Sequence, residues 1–423
     1  MKKEVLIFIL IAIATIFIYR QSFFNFFAQD DFILTSEFSQ NSLLVDFKNA
    51  LSPPRVTHWR PIHNLYFLIA GNIFNKNYFG YHLLTFTIHI TAVFLIFKII
   101  HKTSKNLKVA FVASFIYAIH PAHFVTLFWI SGAATTIGFL FLLLAFLFYL
   151  EKKALLSLSS FICSLLASEA MLVGISLFLI YQFLFRKKEG FNRQLIYILS
   201  ISVLFAIVRF LFLTPETTFD AYKFKIGLET LSAIKYYVLR IVGFAEISGD
   251  LLISVALVLF LVTAGFLLNR TPESLSKRRL ALFGIITIVV GLFPFILIPD
   301  LLSPHYMNIS IFGFSIILSL AISNLNFLKF FLLLSLFFII SLVNVGKTYE
   351  NNWVINRSLI ASEYIRRIEN TLLPRGSTIF FYDSDISSSK EAYISLGEGK
   401  AINFWFKNKN YQVCFDAFED CNK

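Results

Sequence analysis

The chain has few charged residues, and acidic ones are the scarcer kind. Only 15% of its 423 residues are charged, and 37 Lys and Arg outnumber 25 Asp and Glu. A soluble domain carries about 25% charged and 45–50% apolar residues. This chain is 57% hydrophobic with a mean hydropathy of +0.74. The composition therefore excludes an ordinary soluble domain and predicts an integral membrane protein.

Several functional motifs are missing as well. No Gly-x-x-x-x-Gly-Lys-Ser/Thr loop and no Gly-x-Gly-x-x-Gly turn is present, so no nucleotide-driven pump is indicated. No HExxH or Cys/His zinc cluster occurs; we expect no metal site and no cofactor, and the need for a divalent cation stays open. Three cysteines are too few for a disulfide scaffold, but Cys414 and Cys421 in the polar tail could pair if that tail is exported.

What the chain has instead is a series of long apolar runs. A membrane-spanning helix needs about 20 apolar residues, and about eleven segments approach or reach that length. These segments are Val5–Phe24, Tyr81–Ile100, Val109–Ile119, Ile130–Leu150, Ala154–Ala167, Met171–Phe185, Leu195–Leu213, Leu251–Leu268, Leu280–Ile298, Tyr306–Ile322 and Phe327–Val345. The predicted fold class is all-α integral membrane, with a polytopic domain over residues 1–345.

The tail over residues 346–423 is more polar, and we expect it to be a small extracytoplasmic α/β appendage. An amphipathic helix is predicted over Trp353–Leu372, followed by short strands at Thr378–Tyr382, Ala401–Phe406 and Tyr411–Phe415. The predicted domain boundary therefore lies close to residue 345.

The basic residues lie in short clusters between the apolar runs. All clusters fall on one side if the N-terminus is cytoplasmic, as the positive-inside rule requires. This predicts a multi-pass protein of the plasma membrane with an extracytoplasmic C-terminus. The same distribution argues that the net charge of +12 serves topology and not nucleic-acid binding.

Residues that can carry chemistry gather on the opposite, outer side. Asp30 and Asp31 directly follow the first span, where a carboxylate can accept a proton from an attacking hydroxyl. The alternatives are two solvated acids or a helix cap. Arg60, His305 and Arg240 could hold an anionic headgroup, because arginine binds phosphate through two parallel hydrogen bonds; interfacial snorkelling is the alternative.

Most of the histidines share this outer location. Since ionisable residues at membrane depth usually face a bundle interior or a water-filled site, we expect an outer polar cavity. Its further candidate substrate-binding residues are His58, His82, His120, His123 and Glu169, with His63 nearby. Packing between helices is the alternative for His82.

Five motifs occur together in an order and spacing that resemble a known group. They are Asp30-Asp31, Trp59-Arg60-Pro61-Ile62, Tyr81-His82 with His89, Ala118-Ile119-His120-Pro121-Ala122-His123, and Phe128-Trp129-Ile130-Ser131-Gly132. This pattern resembles the GT-C superfamily of polytopic glycosyltransferases, in particular the protein O-mannosyltransferase-like branch that includes the transmembrane tetratricopeptide mannosyltransferases. No tetratricopeptide array follows here. Ser168 and His305 stand where that group has a lysine and an arginine.

The resemblance implies a sugar donor linked to a polyprenyl phosphate, and an acceptor that is a protein, a glycan or a lipid. It implies that Asp30 or Asp31 is the general base, with Asp30 preferred, and that the sugar is transferred with inversion. Arg60, His305 and Arg240, in falling order, would stabilise the departing phosphate. Two alternatives stay open, a non-catalytic relative and a lipid-linked sugar carrier or flippase, although a carrier would favour a polar path at the bilayer midplane.

Overall fold

The protein is described here by a computed structural model that covers seven stretches of the chain. These stretches are residues 2–39, 41–53, 59–212, 223–244, 275–371, 373–418 and residue 421. The expected span Leu251–Leu268 and the candidate residue His58 lie outside them. The described part is mostly helical.

The N-terminal region supplies the first span and the loop that follows it, called the outer loop because the sequence predicts that it lies on the outer side. Helix α1 (Lys2–Tyr19) continues into a 3-10 turn at Arg20–Phe24. Three shorter helices follow: α2 (Asp30–Phe38), α3 (Leu43–Leu51) and α4 (Pro61–Phe74). Helix α4 begins at a proline, whose fixed φ and missing N–H suit the first helical position.

The central part of the chain is a bundle of apolar helices. In chain order these are α5 (Tyr78–Ser104), α6 (Leu107–Ala118), α7 (Phe124–Phe128), α8 (Ala133–Leu150), α9 (Ala154–Ala167), α10 (Ile175–Phe185), α11 (Arg193–Phe212), α12 (Leu228–Ile241), α13 (Leu275–Ile296), α14 (Asn308–Ser323) and α15 (Phe327–Asn351). Short 3-10 turns occur at Pro121–His123, Ile130–Gly132, Glu169–Gly174, Lys187–Glu189 and Pro304–Met307.

Six of the described helices are long and apolar enough to cross a membrane. A seventh span is formed if α6 and the helical segment Pro121–Phe128 are counted together across their 46° bend. The segments Ala154–Ala167 and Glu169–Phe185 are apolar but shorter. The chain is thus a multi-pass membrane protein, and the expected number of eleven spans stays a prediction.

The C-terminal segment (residues 353–421) combines helices with a small sheet. It contains α16 (Trp353–Thr371), β1 (Thr378–Phe381), α17 (Ser389–Ser395), α18 (Lys400–Trp405) and β2 (Gln412–Phe415). The two strands are parallel, with Thr378 opposite Gln412 and Phe381 opposite Phe415. The predicted pairing of Cys414 with Cys421 is confirmed as a disulfide beside β2.

One predicted strand of this segment was wrong. The stretch expected as a strand at Ala401–Phe406 is the helix α18. Its buried residues are Ala401, Ile402 and Phe404, which follow a helical spacing and not the strict alternation of a half-buried strand. The Gly399 turn before it, with φ of 81°, starts the helix.

Two hydrophobic cores are present in the described residues. The larger lies among the spanning helices. The smaller joins the outer loop to the C-terminal segment: Phe27 and Phe32 share it with Tyr364, Phe381 and Phe404. The tail therefore packs on the loop that carries Asp30 and Asp31, and this contact places it at the candidate site.

Candidate active site

The two adjacent acids begin helix α2 but occupy different environments. Asp30 is the first residue of the helix and is partly exposed, whereas Asp31 is only 1% exposed. Successive residues of a helix point in directions about 100° apart, so one acid can face the site while its neighbour faces the core. Negative charge at a helix N-terminus is favourable, which suits both positions.

Asp31 ties the outer loop to the start of helix α8. Its Oδ1 accepts hydrogen bonds from the Ser131 backbone N–H at 2.7 Å and from the Ser131 hydroxyl at 2.6 Å. Its Oδ2 accepts one from the Ala28 backbone N–H at 3.0 Å. Burial raises the pKa of Asp31 to about 7, and these three hydrogen bonds oppose the increase. Both oxygens are thus engaged in holding the loop.

Arg60 and Glu169 form a two-point ion pair beside this loop. Arg60 Nε donates to Glu169 Oε2 at 2.8 Å, and Nη2 donates to Oε1 at 2.6 Å. Both side chains are half-buried, with 23% and 26% of their surface exposed. Arg60 precedes Pro61 at the start of α4, and Glu169 opens the 3-10 turn after α9. The carboxylate fixes the plane of the guanidinium and so orients it for a ligand.

His305 and His63 lie within the electrostatic influence of Arg60. Burial, together with the Arg60 charge, lowers the pKa of His63 to about 3, so its imidazole is neutral. His305 Nδ1 and the Ser303 hydroxyl share a hydrogen bond of 2.5 Å. The Trp129 and His305 rings have their centroids 6.3 Å apart. Arg60 therefore links two parts of the site, the first loop with His63 and the turn that carries His305.

Ser131 was not among the site residues expected from sequence, whereas His63 was expected only as one of the histidines of the outer polar cavity; both belong here. Ser131 binds Asp31 through its backbone N–H and its hydroxyl, and its backbone opposes the fall in the pKa of His63. The signals were present, because His63 lies three residues from Arg60 and Ser131 lies in a recurring motif.

Three buried polar atoms near the ion pair have no hydrogen-bond partner among the described residues. They are His63 Nε2, Trp129 Nε1 and Ser168 Oγ. Buried polar groups are nearly always paired, so such atoms suggest contacts that a bound molecule would complete. Across the same described residues, no three His, Cys, Asp or Glu side chains converge in a way that could hold a metal ion.

His82 and His120 contact backbone carbonyl oxygens of distant segments. His82 lies between the carbonyl oxygens of Asn25, at 2.9 Å, and Leu127, at 3.1 Å. His120 Nε2 lies 2.9 Å from the Ile241 carbonyl oxygen, and its Nδ1 accepts from the Ala122 N–H. His82 and His120 are buried. These contacts join the outer loop and α12 to the bent span.

His123 and Arg240 are both buried, and Arg240 lies beside the 3-10 turn Pro121–His123 that carries His123. His123 is buried, with Nε2 2.9 Å from the Tyr117 carbonyl oxygen. Arg240 is 6% exposed, with its guanidinium carbon 4.2 Å from the centre of the Tyr236 ring. A small cavity beside Arg240 is also lined by Pro304, the neighbour of His305. Arg240 therefore lies near the His305 end of the site.

The arrangement of these helices can be compared with known proteins. No family model matches the chain, and no curated protein matches it. Among solved structures, three chains have a similar fold. One is the crystal structure of ArnT from Cupriavidus metallidurans bound to undecaprenyl phosphate, with a TM-score of 0.52 and 11% identity. It covers 95% of this chain and 76% of ArnT. At this identity the likeness shows the fold alone.

Proposed function

We propose that the chain is a membrane glycosyltransferase that moves a sugar from a polyprenyl-phosphate donor to an acceptor hydroxyl at the outer membrane face. The observation that carries this proposal is a series of contacts: Ser131 binds Asp31, the neighbour of Asp30, and its backbone acts on His63, which lies under the electrostatic influence of the oriented Arg60–Glu169 pair. A base and a cation held in fixed positions beside a membrane are what this transfer requires. ArnT, whose fold is similar, is bound to undecaprenyl phosphate in its structure.

In the proposed reaction Asp30 is the general base. Its carboxylate takes the proton of the acceptor hydroxyl while the acceptor oxygen forms a bond to the anomeric carbon. The bond from that carbon to the phosphate oxygen breaks, and its electron pair leaves with the polyprenyl phosphate. Attack from the face opposite the phosphate inverts the anomeric centre. Asp30 suits this role better than Asp31, because Asp30 is partly exposed whereas Asp31 is only 1% exposed.

Arg60 is the leading candidate to stabilise the departing phosphate. Glu169 holds its guanidinium from one side and so limits the directions in which it can bind an anion. His305 and Arg240 lie toward the Pro304 side and would follow in that order. The unsatisfied atoms of His63, Trp129 and Ser168 suit the hydroxyl groups of a sugar, which both donate and accept hydrogen bonds.

An amide substitution at Asp30 tests the proposal directly. Asp30→Asn removes the proton acceptor with little change in volume, so transfer should fall by about 100-fold or more. The protein in lipid nanodiscs would be supplied with undecaprenyl-phosphate hexoses and pentoses, and release of undecaprenyl phosphate would be followed by mass spectrometry. Binding of undecaprenyl phosphate itself should be unchanged, because Arg60 and Glu169 are intact.

Glu37→Gln is the matched control, since Glu37 lies in the same helix α2 and is exposed. It should leave the rate near that of the native chain. Unaltered transfer by Asp30→Asn would refute Asp30 as the base. Binding of undecaprenyl phosphate with no transfer from any donor by the native chain would favour a carrier or a non-catalytic relative.

A further inference from the structure

The residue before Asp30 has an unusual backbone conformation. Gln29 has φ of 54° and ψ of −117°, a region that favours glycine and is strained for other residues. Such a conformation is energetically unfavourable and persists only when surrounding contacts impose it. Because Gln29 immediately precedes helix α2, its backbone sets the direction in which the helix starts and Asp30 points.

The contacts that impose this conformation come from the C-terminal segment. The Gln29 backbone N–H donates to the Ser395 carbonyl oxygen at 3.0 Å. Arg357 Nη1 donates to the Gln29 side-chain Oε1 at 2.6 Å, and Arg357 Nε donates to Glu391 Oε1 at 2.7 Å. Glu391, in the same segment, thus fixes Arg357 through Nε, and Arg357 binds the outer loop through Nη1.

Gly397 adds a further contact, because its backbone lies very close to the backbone of Gln29. Its φ is 55°, and a Cβ placed on it would lie 2.6 Å from the Gln29 carbonyl oxygen and 3.1 Å from Phe32 Cβ. No real Cβ tolerates the first distance, so any side chain here must push the loop away. Because Gly397 has no side chain, the C-terminal segment can pack directly against the Gln29–Asp30 peptide.

The same segment reaches the other part of the site. The Arg357 guanidinium lies 5.2 Å from the Trp353 ring centre, and the Trp353 and Trp129 ring centroids are 5.2 Å apart. Trp129 in turn lies beside His305. One segment at the end of the chain thus contacts the loop of the proposed base and the aromatic side of the proposed phosphate site.

We infer that the C-terminal segment is a positioning element for the reaction, in which Arg357 and Gly397 hold Gln29 so that Asp30 is aimed at the acceptor hydroxyl. This inference rests on the proposed function. Arg357 and Gly397 are positioning residues and touch no reacting atom. The segment therefore acts on turnover and not on binding of the lipid phosphate.

Two glycine substitutions distinguish an effect on the position of Asp30 from the general effect of placing a side chain at a positive φ. Gly397→Ala and Gly376→Ala both place a side chain at a positive φ, 55° and 76°, within the same segment. A Cβ on Gly376 has no described atom within 4 Å. Gly397→Ala should lower kcat by about 100-fold, the effect of a misplacement near 1 Å, with KM for the donor nearly unchanged. Gly376→Ala should keep kcat near the native value.

Three readouts accompany the rates: undecaprenyl phosphate binding by native mass spectrometry, the thermal midpoint, and donor KM. The inference predicts equal lipid binding by the folded fraction of both glycine variants, a lower midpoint for Gly397→Ala because its side chain displaces the loop, and a lower kcat per folded molecule for Gly397→Ala alone. Equal kcat for Gly397→Ala and Gly376→Ala would overturn the inference while leaving the proposed function standing. A native chain that transfers no sugar would instead count against the proposed function itself.

Variants at Arg357 give an independent measurement if Gly397→Ala does not fold. Arg357→Ala should lower kcat because Gln29 loses its side-chain partner, and Arg357→Lys should recover part of the loss, since one ammonium can still donate to Gln29. A native kcat for Arg357→Ala would overturn the inference. A loss of kcat with unchanged lipid binding, partly rescued in Arg357→Lys, would support it.

Discussion

At the scale of single residues, the adjacent acids Asp30 and Asp31 have different surroundings, since Asp30 is partly exposed and Asp31 is buried. The position of Asp30 and Asp31 after the first span already marks them as candidates for chemistry. Asp31 differs from Asp30 because its carboxylate is bound by the N–H and the hydroxyl of Ser131. Ser131 lies one hundred residues after Asp31 in the chain. No local pattern encodes that contact, so the choice between the two acids could not be derived from spacing.

The buried acid makes the stability of the protein depend on pH. Burial raises the pKa of Asp31 from 3.8 to about 7, so the folded state binds this proton more tightly than the unfolded state. The resulting stabilisation is complete below the unfolded pKa and is lost as the pH rises through about 7. The native protein should therefore lose stability between pH 5 and pH 8 relative to Asp31→Asn.

The measurement is the thermal midpoint in detergent, followed by tryptophan fluorescence at several pH values. Asp31→Asn cannot titrate at this position and should show a flatter pH dependence. Parallel curves for the native protein and the variant would show that Asp31 does not titrate in this range.

At the scale of elements, the apolar runs predict the helices well because a lipid-facing backbone has few alternatives. Helices occur at ten of the eleven expected segments, and the remaining one lies outside the described residues. The histidines were harder to interpret. Their place at the outer ends of helices was evident, but the carbonyls they contact come from distant loops. Sequence alone could not separate these structural contacts from a substrate cavity.

His82 tests this structural role. It lies between two carbonyl oxygens and is 1% exposed, so His82→Ala leaves a cavity and removes partners from buried groups. The expected loss of unfolding free energy is about 2–4 kcal/mol. His101→Ala, at the far end of the same helix α5 and partly exposed, should have a much smaller effect.

Chemical unfolding in mixed micelles gives both values. Lipid phosphate binding by the folded fraction should persist in His82→Ala. If His82→Ala were as stable as the native protein but no longer bound undecaprenyl phosphate, His82 would be a ligand-binding residue and not a structural one.

At the scale of the whole molecule, the C-terminal segment and the outer loop must lie on the same side of the membrane, because they share one core. The Cys414–Cys421 disulfide lies in that segment, so the outer loop lies in the same compartment as the disulfide. Disulfides persist in oxidising compartments outside the cytoplasm. The disulfide and the positive-inside pattern therefore predict the same orientation, in which Asp30 lies outside the cytoplasm.

Cysteine labelling on intact cells tests this orientation. In a Cys163→Ala background the only thiols are Cys414 and Cys421. A membrane-impermeant maleimide should label neither before reduction, because the two are paired, and both after treatment with an impermeant phosphine. Labelling that requires permeabilised cells would place the segment in the cytoplasm. Because the segment holds Gln29 directly, that result would also move Asp30 and its proposed chemistry to the cytoplasmic face.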